Sequence, residues 1–263
     1  MELHIPTLAP ETLFHIGSLP ITNTIINTWL AITIFLVLGL YLRKKIHLKP
    51  TKVQNFIEFF LEKIFVYFDQ VTGSRAKTIK FLPVVGPVFF FILLSNWLGL
   101  LPGTGSIFVG EAPLLRPANT DLNLTVSMAL VAVVSSHLFG LFSVGLFTHL
   151  NKFIQIGTFF KSLRKGPIAI FTAIIELAVG LIEIVSEMAK VVSLSLRLFG
   201  NIFAGEVLIS VISSIAVAIV PAPFMMLEIL VGLIQASVFT MLTLVYLTVL
   251  SAKPHGHEEK QHA

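Results

Sequence analysis

The sequence predicts an all-α integral membrane protein, and two observations support this fold class: the composition and the distribution of charge. Hydrophobic residues make up 55% of the 263-residue chain, charged residues only 12%, and the mean hydropathy is +0.91. Average soluble proteins carry about 25% charged residues, so this composition excludes an ordinary soluble domain. The charges also lie between long apolar segments, as they do in proteins that cross a bilayer several times.

The first apolar segment is residues 24–42, which contain no charge. As a helix it would be about 29 Å long, close to the roughly 30 Å hydrocarbon thickness of a bilayer. Basic residues follow it closely, beginning with Arg43 and Lys44. Because basic loops stay on the cytoplasmic side, we expect this loop to be cytoplasmic and the N-terminus to lie outside.

Residues 51–80 have a different pattern, which predicts one amphipathic helix on the cytoplasmic membrane surface. Acidic side chains such as Glu58 and Glu62 fall beside apolar ones. The apolar side chains recur at three- and four-residue spacing, which is typical of a surface helix. They are Val53, Phe56, Phe60, Ile64 and Tyr67.

The next two spans are predicted over residues 81–101 and 123–150, which are again uncharged. Residues 167–220 contain no proline after Pro167, and one helix of that length would run about 80 Å. Such a helix must either lie strongly tilted or break, for example at a glycine. The last helix is predicted over residues 224–252, followed by a tail at 253–263. One tilted passage over 167–220 would leave that tail cytoplasmic, whereas two upright spans would leave it outside.

Arg197 is the candidate functional residue, because it is the only charge between Lys190 and Glu206. A cation at membrane depth costs between about 3 and more than 10 kcal/mol, so it needs a partner or a task. Glu183, Lys190 and Arg197 are spaced by seven residues. A spacing of seven places them on one slowly winding stripe of the helix.

Further polar residues extend this pattern to two helices. Asn201 lies four residues after Arg197 and adjoins the stripe, whereas Glu206 points to the opposite face. Glu228 and Gln235, spaced by seven, share a face of the last helix. Acids can bind and release protons, and an arginine, which is always charged, interrupts a continuous cation path. Two acid-lined half-paths separated by an arginine are what a transporter that must not leak requires.

Structural interpretations of the same residues remain open at this point. Arg197 could form a structural salt bridge, and Glu183 could lie at a helix end near water. Glu228 follows Pro223 closely and could lie at the aqueous boundary. His137 is expected to be a packed or interfacial residue. We expect no cofactor and no metal, and the basic net charge does not indicate nucleic acid, because it sets membrane topology.

Three segments resemble subunit a of the F-type ATP synthase. The segment SLSLRLFGNIFAGE at 193–206 matches the signature of that family. Residues 116–123, RPANTDLN, resemble its P-x-x-D-x-N segment, and residues 228–246 resemble its last helix. The resemblance extends from about Glu58 to Ser251. It implies five membrane-embedded helices, the last two forming a long tilted hairpin, and a cytoplasmic C-terminus.

The resemblance also implies a role for each candidate residue. Arg197 would be the essential arginine that faces the ring of c subunits, with Asn201 one turn away. Glu206, Glu228 and Gln235 would line the half-channel from outside, and Glu183 would belong to the cytoplasmic half-channel. Some family members have one Glu and one His where this chain has Glu206 and Glu228.

The function implied by this resemblance is that of a proton-translocating stator subunit, not an enzyme by itself. Its partners would be the c ring, the b-subunit peripheral stalk, the rest of the F0F1 complex and the lipid bilayer. The alternative is a stand-alone secondary ion-coupled transporter, although we find no inverted repeat. The N-terminal sequence has no targeting segment, which is typical of the bacterial inner membrane, although an organelle-encoded chain would share this feature.

Overall fold

The computed structural model describes residues 7–44, 46, 47, 50–101, 107–109, 112–146, 167–215 and 220–252. Among them, five helices are long and apolar enough to cross a membrane, which confirms the predicted fold class. These helices and an amphipathic one are α1 Asn23–Lys44, α2 Lys52–Thr72, α3 Arg75–Gly99, α4 Leu122–Val144, α5 Pro167–Ile215 and α6 Pro221–Ser251.

In the described part of the chain, two short antiparallel strand pairs accompany the helices, and the sequence pattern did not predict either of them. Strands β1 (Thr12–Ile16) and β2 (Leu19–Thr22) form a hairpin that leads directly into α1. Strands β3 (Phe108–Val109) and β4 (Ala112–Pro113) pair within the connection between α3 and α4. A short 3-10 turn at Ala118–Thr120 then leads into α4.

The predicted helix over residues 51–80 is two helices in the structure, because the chain turns at Gly73. This glycine has a φ of 72°, in the left-handed region that side chains disfavour, and its amide donates to the Asp69 carbonyl at 2.9 Å. Ser74 then caps α3 by accepting from the Lys77 amide. Residues 75–80 therefore belong to α3, and α2 folds back against α3 and α6.

The predicted span 123–150 also differs at its end. Helix α4 ends at Val144, and Gly145 follows with a φ of 93°. Residues 147–150 lie outside the described part of the chain, as do 216–219 and the tail 253–263. Helix α6 begins at Pro221 rather than at 224, because proline in the first turn has no amide that needs an acceptor.

Residues 167–215 form one uninterrupted helix, α5, and the glycines that could have broken it lie within it. Helix α6 runs antiparallel to α5. Positions nearer the C-terminus of α5 contact positions nearer the N-terminus of α6: Asn201 bonds to Gln235, whereas Gly205 approaches Glu228. The last two helices therefore form a long hairpin.

The hydrophobic core lies where α3, α4, α5 and α6 meet. Helix α1 contributes few buried side chains beyond its first turns, and most of its apolar residues are exposed. In water such exposure would be unfavourable, but it suits a helix that faces lipid or another subunit. The residues that form the core are Phe89, Ile92, Leu93, Met128, Ala129, Ala132, Val133, Leu194, Leu198, Ile202, Ala236 and Phe239.

Candidate functional site

Arg197 lies exposed on the outer face of α5. Leu194 and Leu198, on either side of it in the sequence, are 2% and 0% exposed because they face the core. A helix turns by about 100° per residue, so Arg197 lies about 60° from Leu194 and about 100° from Leu198 around the axis, at the exposed edge of the buried face. Its one hydrogen bond among the described residues is to the Ser193 hydroxyl, at 3.5 Å from Nη2. Leu196 next to it is also exposed, so the cation lies on a largely apolar surface.

Asn201 and Gln235 join α5 to α6 one turn beyond Arg197. The Asn201 side-chain Nδ2 donates to the Gln235 Oε1 at 2.7 Å. Gln235 is only 3% exposed, and its Nε2 has no hydrogen-bond partner among the described residues. The hydrogen bond fixes the orientation of the Gln235 amide, so its donor group points away from Asn201 and remains available.

Glu228 lies two turns before Gln235 on α6, further from Arg197, and is 8% exposed. Its carboxyl rests directly on the backbone of α5 at Gly205, where an added Cβ would lie 2.2 Å from the Glu228 Cδ. Only glycine at position 205 leaves room for this approach. The Glu228 Oε1 is buried and, in the described part of the chain, accepts no hydrogen bond. Glu228 is therefore an acid buried within the protein, between α5 and α6.

Glu206 pairs with Arg116, a contact that the sequence pattern did not predict. The Arg116 Nε lies 2.9 Å from the Glu206 Oε1, and the Arg116 Nη2 donates to the Glu206 Oε2 at 3.0 Å. The two side chains are 3% and 18% exposed. In the sequence, the position of Arg116 directly before Pro117, where the P-x-x-D-x-N segment begins, is the one signal that could have marked it as structurally important. The surrounding fold, not local sequence, buries it.

Glu183 is half-buried on α5 and lies apart from these groups. It precedes Arg197 by fourteen residues, or about 21 Å along the helix axis. Asn201, Glu206, Glu228 and Gln235 all lie beyond Arg197 in the other direction. The structure therefore brings four of the six predicted site residues together on one side of Arg197, with Glu183 on the other.

A second polar cluster lies between Glu183 and Arg197. Glu187 accepts a hydrogen bond from Lys190, and the His137 Nε2 of α4 lies 3.3 Å from the Glu187 Oε2. The Lys190 Nζ also lies 4.9 Å from the centre of the Tyr246 ring on α6. His137, which was expected to be packed or interfacial, is partly buried and contacts the charged side chains of α5 through Glu187.

Amide side chains also fix α3 and the loop before α4 against the hairpin. Asn119 donates from Nδ2 to the Asn96 Oδ1 at 2.6 Å, and the Asn96 Nδ2 donates to the Gly232 carbonyl at 3.2 Å. The Trp97 Nε1 donates to the Ile229 carbonyl at 3.1 Å. These bonds hold the loop that carries Arg116 and the helix that carries Glu228 in one rigid arrangement.

Comparison with known proteins identifies the family of this chain. The family model described as ATP synthase A chain matches residues 25–248. The chain belongs to the ATP synthase A chain family. The match begins earlier than the resemblance seen in the sequence, which was weak before Glu58, and so includes α1. All the site residues described above lie inside the matched range.

Relatives in this family cover nearly the whole chain. A protein of Moorella thermoacetica named ATP synthase subunit a is 31% identical over 94% of this chain and 98% of its own length. Another of the same name, from Mycobacterium ulcerans, is 35% identical over 86% of this chain and 85% of its own length. A protein of a Bradyrhizobium species named ATP synthase subunit a 2 is 30% identical over 91% of this chain and 93% of its own length. The chain is therefore a multi-pass membrane protein of the ATP synthase A chain family.

Proposed function

We propose that this chain is the proton-translocating stator subunit of an F-type ATP synthase, with two offset half-channels separated by Arg197. The observation that carries the proposal is the position of Arg197. It is an exposed cation on an apolar helix face, and among the described residues its one hydrogen bond is to the neutral Ser193. A charge at membrane depth needs a counter-charge, and a carboxylate on an adjacent ring of c subunits would supply it.

Protons would enter from outside along the side of the hairpin that carries Glu206, Glu228 and Gln235. Asn201 supports this path because it fixes the Gln235 amide at 2.7 Å. Each proton would pass to a carboxylate of the c ring. The neutralised carboxylate can then move through lipid as the ring turns, since the cost of a buried charge is removed.

Protons would leave through the half-channel that contains Glu183. When a ring carboxylate reaches Arg197, the positive charge favours its ionised form, and the proton is released toward the cytoplasm. Arg197 cannot lose its own proton, so it also blocks a continuous path between the half-channels. The membrane potential supplies about 2.3 kcal/mol per charge for each 100 mV.

This function needs partners, since we expect the chain to have no catalytic activity by itself. We propose that it assembles with the c ring, the b-subunit peripheral stalk and the rest of the F0F1 complex in a bacterial inner membrane. The N-terminus would lie outside and the C-terminus in the cytoplasm. The exposed apolar faces of α1 and α5 suit contact with lipid and with the ring. The family match does not favour the alternative of a stand-alone secondary transporter.

The test is ATP-driven proton pumping in vesicles that contain the assembled complex, comparing wild type with Arg197→Ala. Arg43→Ala is the matched control, because it removes an exposed arginine from the end of α1. We expect Arg197→Ala to abolish pumping and to raise passive proton leak, while Arg43→Ala leaves both unchanged. Retained pumping in Arg197→Ala would refute the proposal.

A further inference from the structure

Glu206 and Glu228, the two acids of the proposed outer half-channel, have different electrostatic environments. Glu206 lies against a buried arginine, whereas Glu228 has no cation bound to it among the described residues. We propose that Arg116 holds Glu206 as a fixed, ionised counter-ion, and that Glu228 is the acid of the two that exchanges protons with the c ring. Arg116 is then a positioning residue, which acts through Glu206. This inference rests on the proposed function and assigns different tasks to two residues of the same half-channel.

The geometry of the pair supports a permanent charge on Glu206. Both Glu206 oxygens accept from the Arg116 guanidinium, with Nε to Oε1 at 2.9 Å and Nη2 to Oε2 at 3.0 Å. Such two-pronged arginine–carboxylate contacts are among the strongest hydrogen-bonded ion pairs in proteins. Arg116 is 3% exposed, so protonating Glu206 would leave a buried cation without its counter-charge. The fold therefore opposes proton uptake by Glu206.

Arg116 is held so firmly that it cannot easily follow another charge. Its Nη1 donates to the Ala9 carbonyl at 3.2 Å and its Nη2 to the Thr7 carbonyl at 2.8 Å. Its own carbonyl accepts from the Asn27 side chain at 2.7 Å. The segment before β1 and the first turns of α1 thus fix both the guanidinium and the backbone of this residue.

Glu228 forms no ion pair and no side-chain hydrogen bond among the described residues. It is 8% exposed, and its Oε1 accepts no hydrogen bond in the described part of the chain. No ion pair among the described residues holds the Glu228 carboxyl in its charged form, so it can take up a proton and release it when a stronger acceptor arrives. Its carboxyl lies against the α5 backbone at Gly205 and on the same face of α6 as Gln235. A proton on Glu228 is therefore positioned to continue toward Arg197.

The first test compares pumping per assembled complex in Arg116→Gln, in Glu206→Gln and in the double variant that carries both. Each single change leaves one buried charge unpaired, so we expect a loss of about tenfold or more. The double variant removes both charges and should recover most of the activity, and Arg116→Lys should retain part of it. Glu228→Gln should be inactive and should not be rescued by Arg116→Gln.

A double variant that assembles but stays as inactive as Glu206→Gln would overturn the inference, because Glu206 would then itself have to carry protons. If the variants do not assemble, the wild-type complex gives a second measurement. A hydrophobic carbodiimide reacts with protonated carboxyls, so mass spectrometry of the labelled complex should find the adduct on Glu228 and not on Glu206. Equal labelling of the two, or no adduct on Glu228, would overturn the inference. The Arg197→Ala result tests the proposed function separately.

Discussion

Asn201 on α5 donates a hydrogen bond of 2.7 Å from its side-chain amide to the side-chain oxygen of Gln235 on α6. The bond crosses the antiparallel hairpin one turn from Arg197. It therefore has two effects, because it stabilises the packing of the two helices and orients the buried Gln235 amide donor away from Asn201, on the side of the proposed outer half-channel. These two contributions can be separated by mutation.

We expect Asn201→Leu to weaken both. The buried Gln235 side-chain oxygen would lose its donor, which costs about 1–3 kcal/mol, and the Gln235 amide would lose its fixed orientation. In the double variant Asn201→Leu/Gln235→Leu neither partner is left unsatisfied, so thermal stability of the purified complex should recover while proton pumping stays low. Ser237→Ala is the control, since that hydroxyl bonds to its own helix at Leu233. Recovery of pumping in the double variant would mean that the bond is purely structural.

Gly205 offers a test of the Glu228 position. In Gly205→Ala the new Cβ would lie within 2.3 Å of both Glu228 oxygens, so the carboxyl must move. Because the displaced atoms are the end of a flexible side chain, we expect assembly and stability to be preserved and pumping to fall. Gly200→Ala is the matched control on the same helix, since its new Cβ meets nothing within 4 Å. Equal pumping in the two variants would argue against a function for the observed Glu228 position.

The sequence predicted the helical membrane fold, because apolar length and flanking charge are local properties. It missed the division of residues 51–80. Apolar periodicity continues across Gly73, and only the positive φ of that residue ends α2. The sequence left open whether α5 is broken. Glycines weaken a helix by only about 1 kcal/mol each, and packing of the buried Leu194–Leu198–Ile202 face against α4 offsets this.

The candidate site was predictable only in part. Helical spacing placed Asn201 beside Arg197 and Glu228 on the same face as Gln235, because these residues lie on two regular helices. The partner of Glu206 was not predictable in this way. Arg116 is ninety residues away in the sequence and lies in a connection whose path depends on contacts with α1 and the N-terminal segment. The burial of Arg116 follows from tertiary contacts, which the periodicity of apolar residues in the sequence does not indicate.

The amide chain between α3 and α6 should dominate the stability of this region. Asn96→Ala removes the acceptor of Asn119, which is 0% exposed, and the donor to the Gly232 carbonyl. Leaving such groups buried and unsatisfied costs about 1–3 kcal/mol each, so we expect a lower melting temperature of the purified complex. Asn123→Ala is the control, because that side chain is exposed. If both variants melted at the same temperature, the amide chain would contribute little to stability.

The last prediction concerns Lys190, whose charge lies about 10 Å along α5 from Arg197. Glu187 accepts a hydrogen bond from Lys190 and so neutralises a second cation on the stripe. In Glu187→Gln that cation is uncompensated and would compete with Arg197 for the ionised ring carboxylate, so we expect slower ATP-driven pumping. The double variant Glu187→Gln/Lys190→Gln should restore it. Glu62→Gln, an exposed acid on α2, is the control. Slow pumping in the double variant would instead indicate that the Glu187 carboxylate itself, together with His137, is needed for pumping.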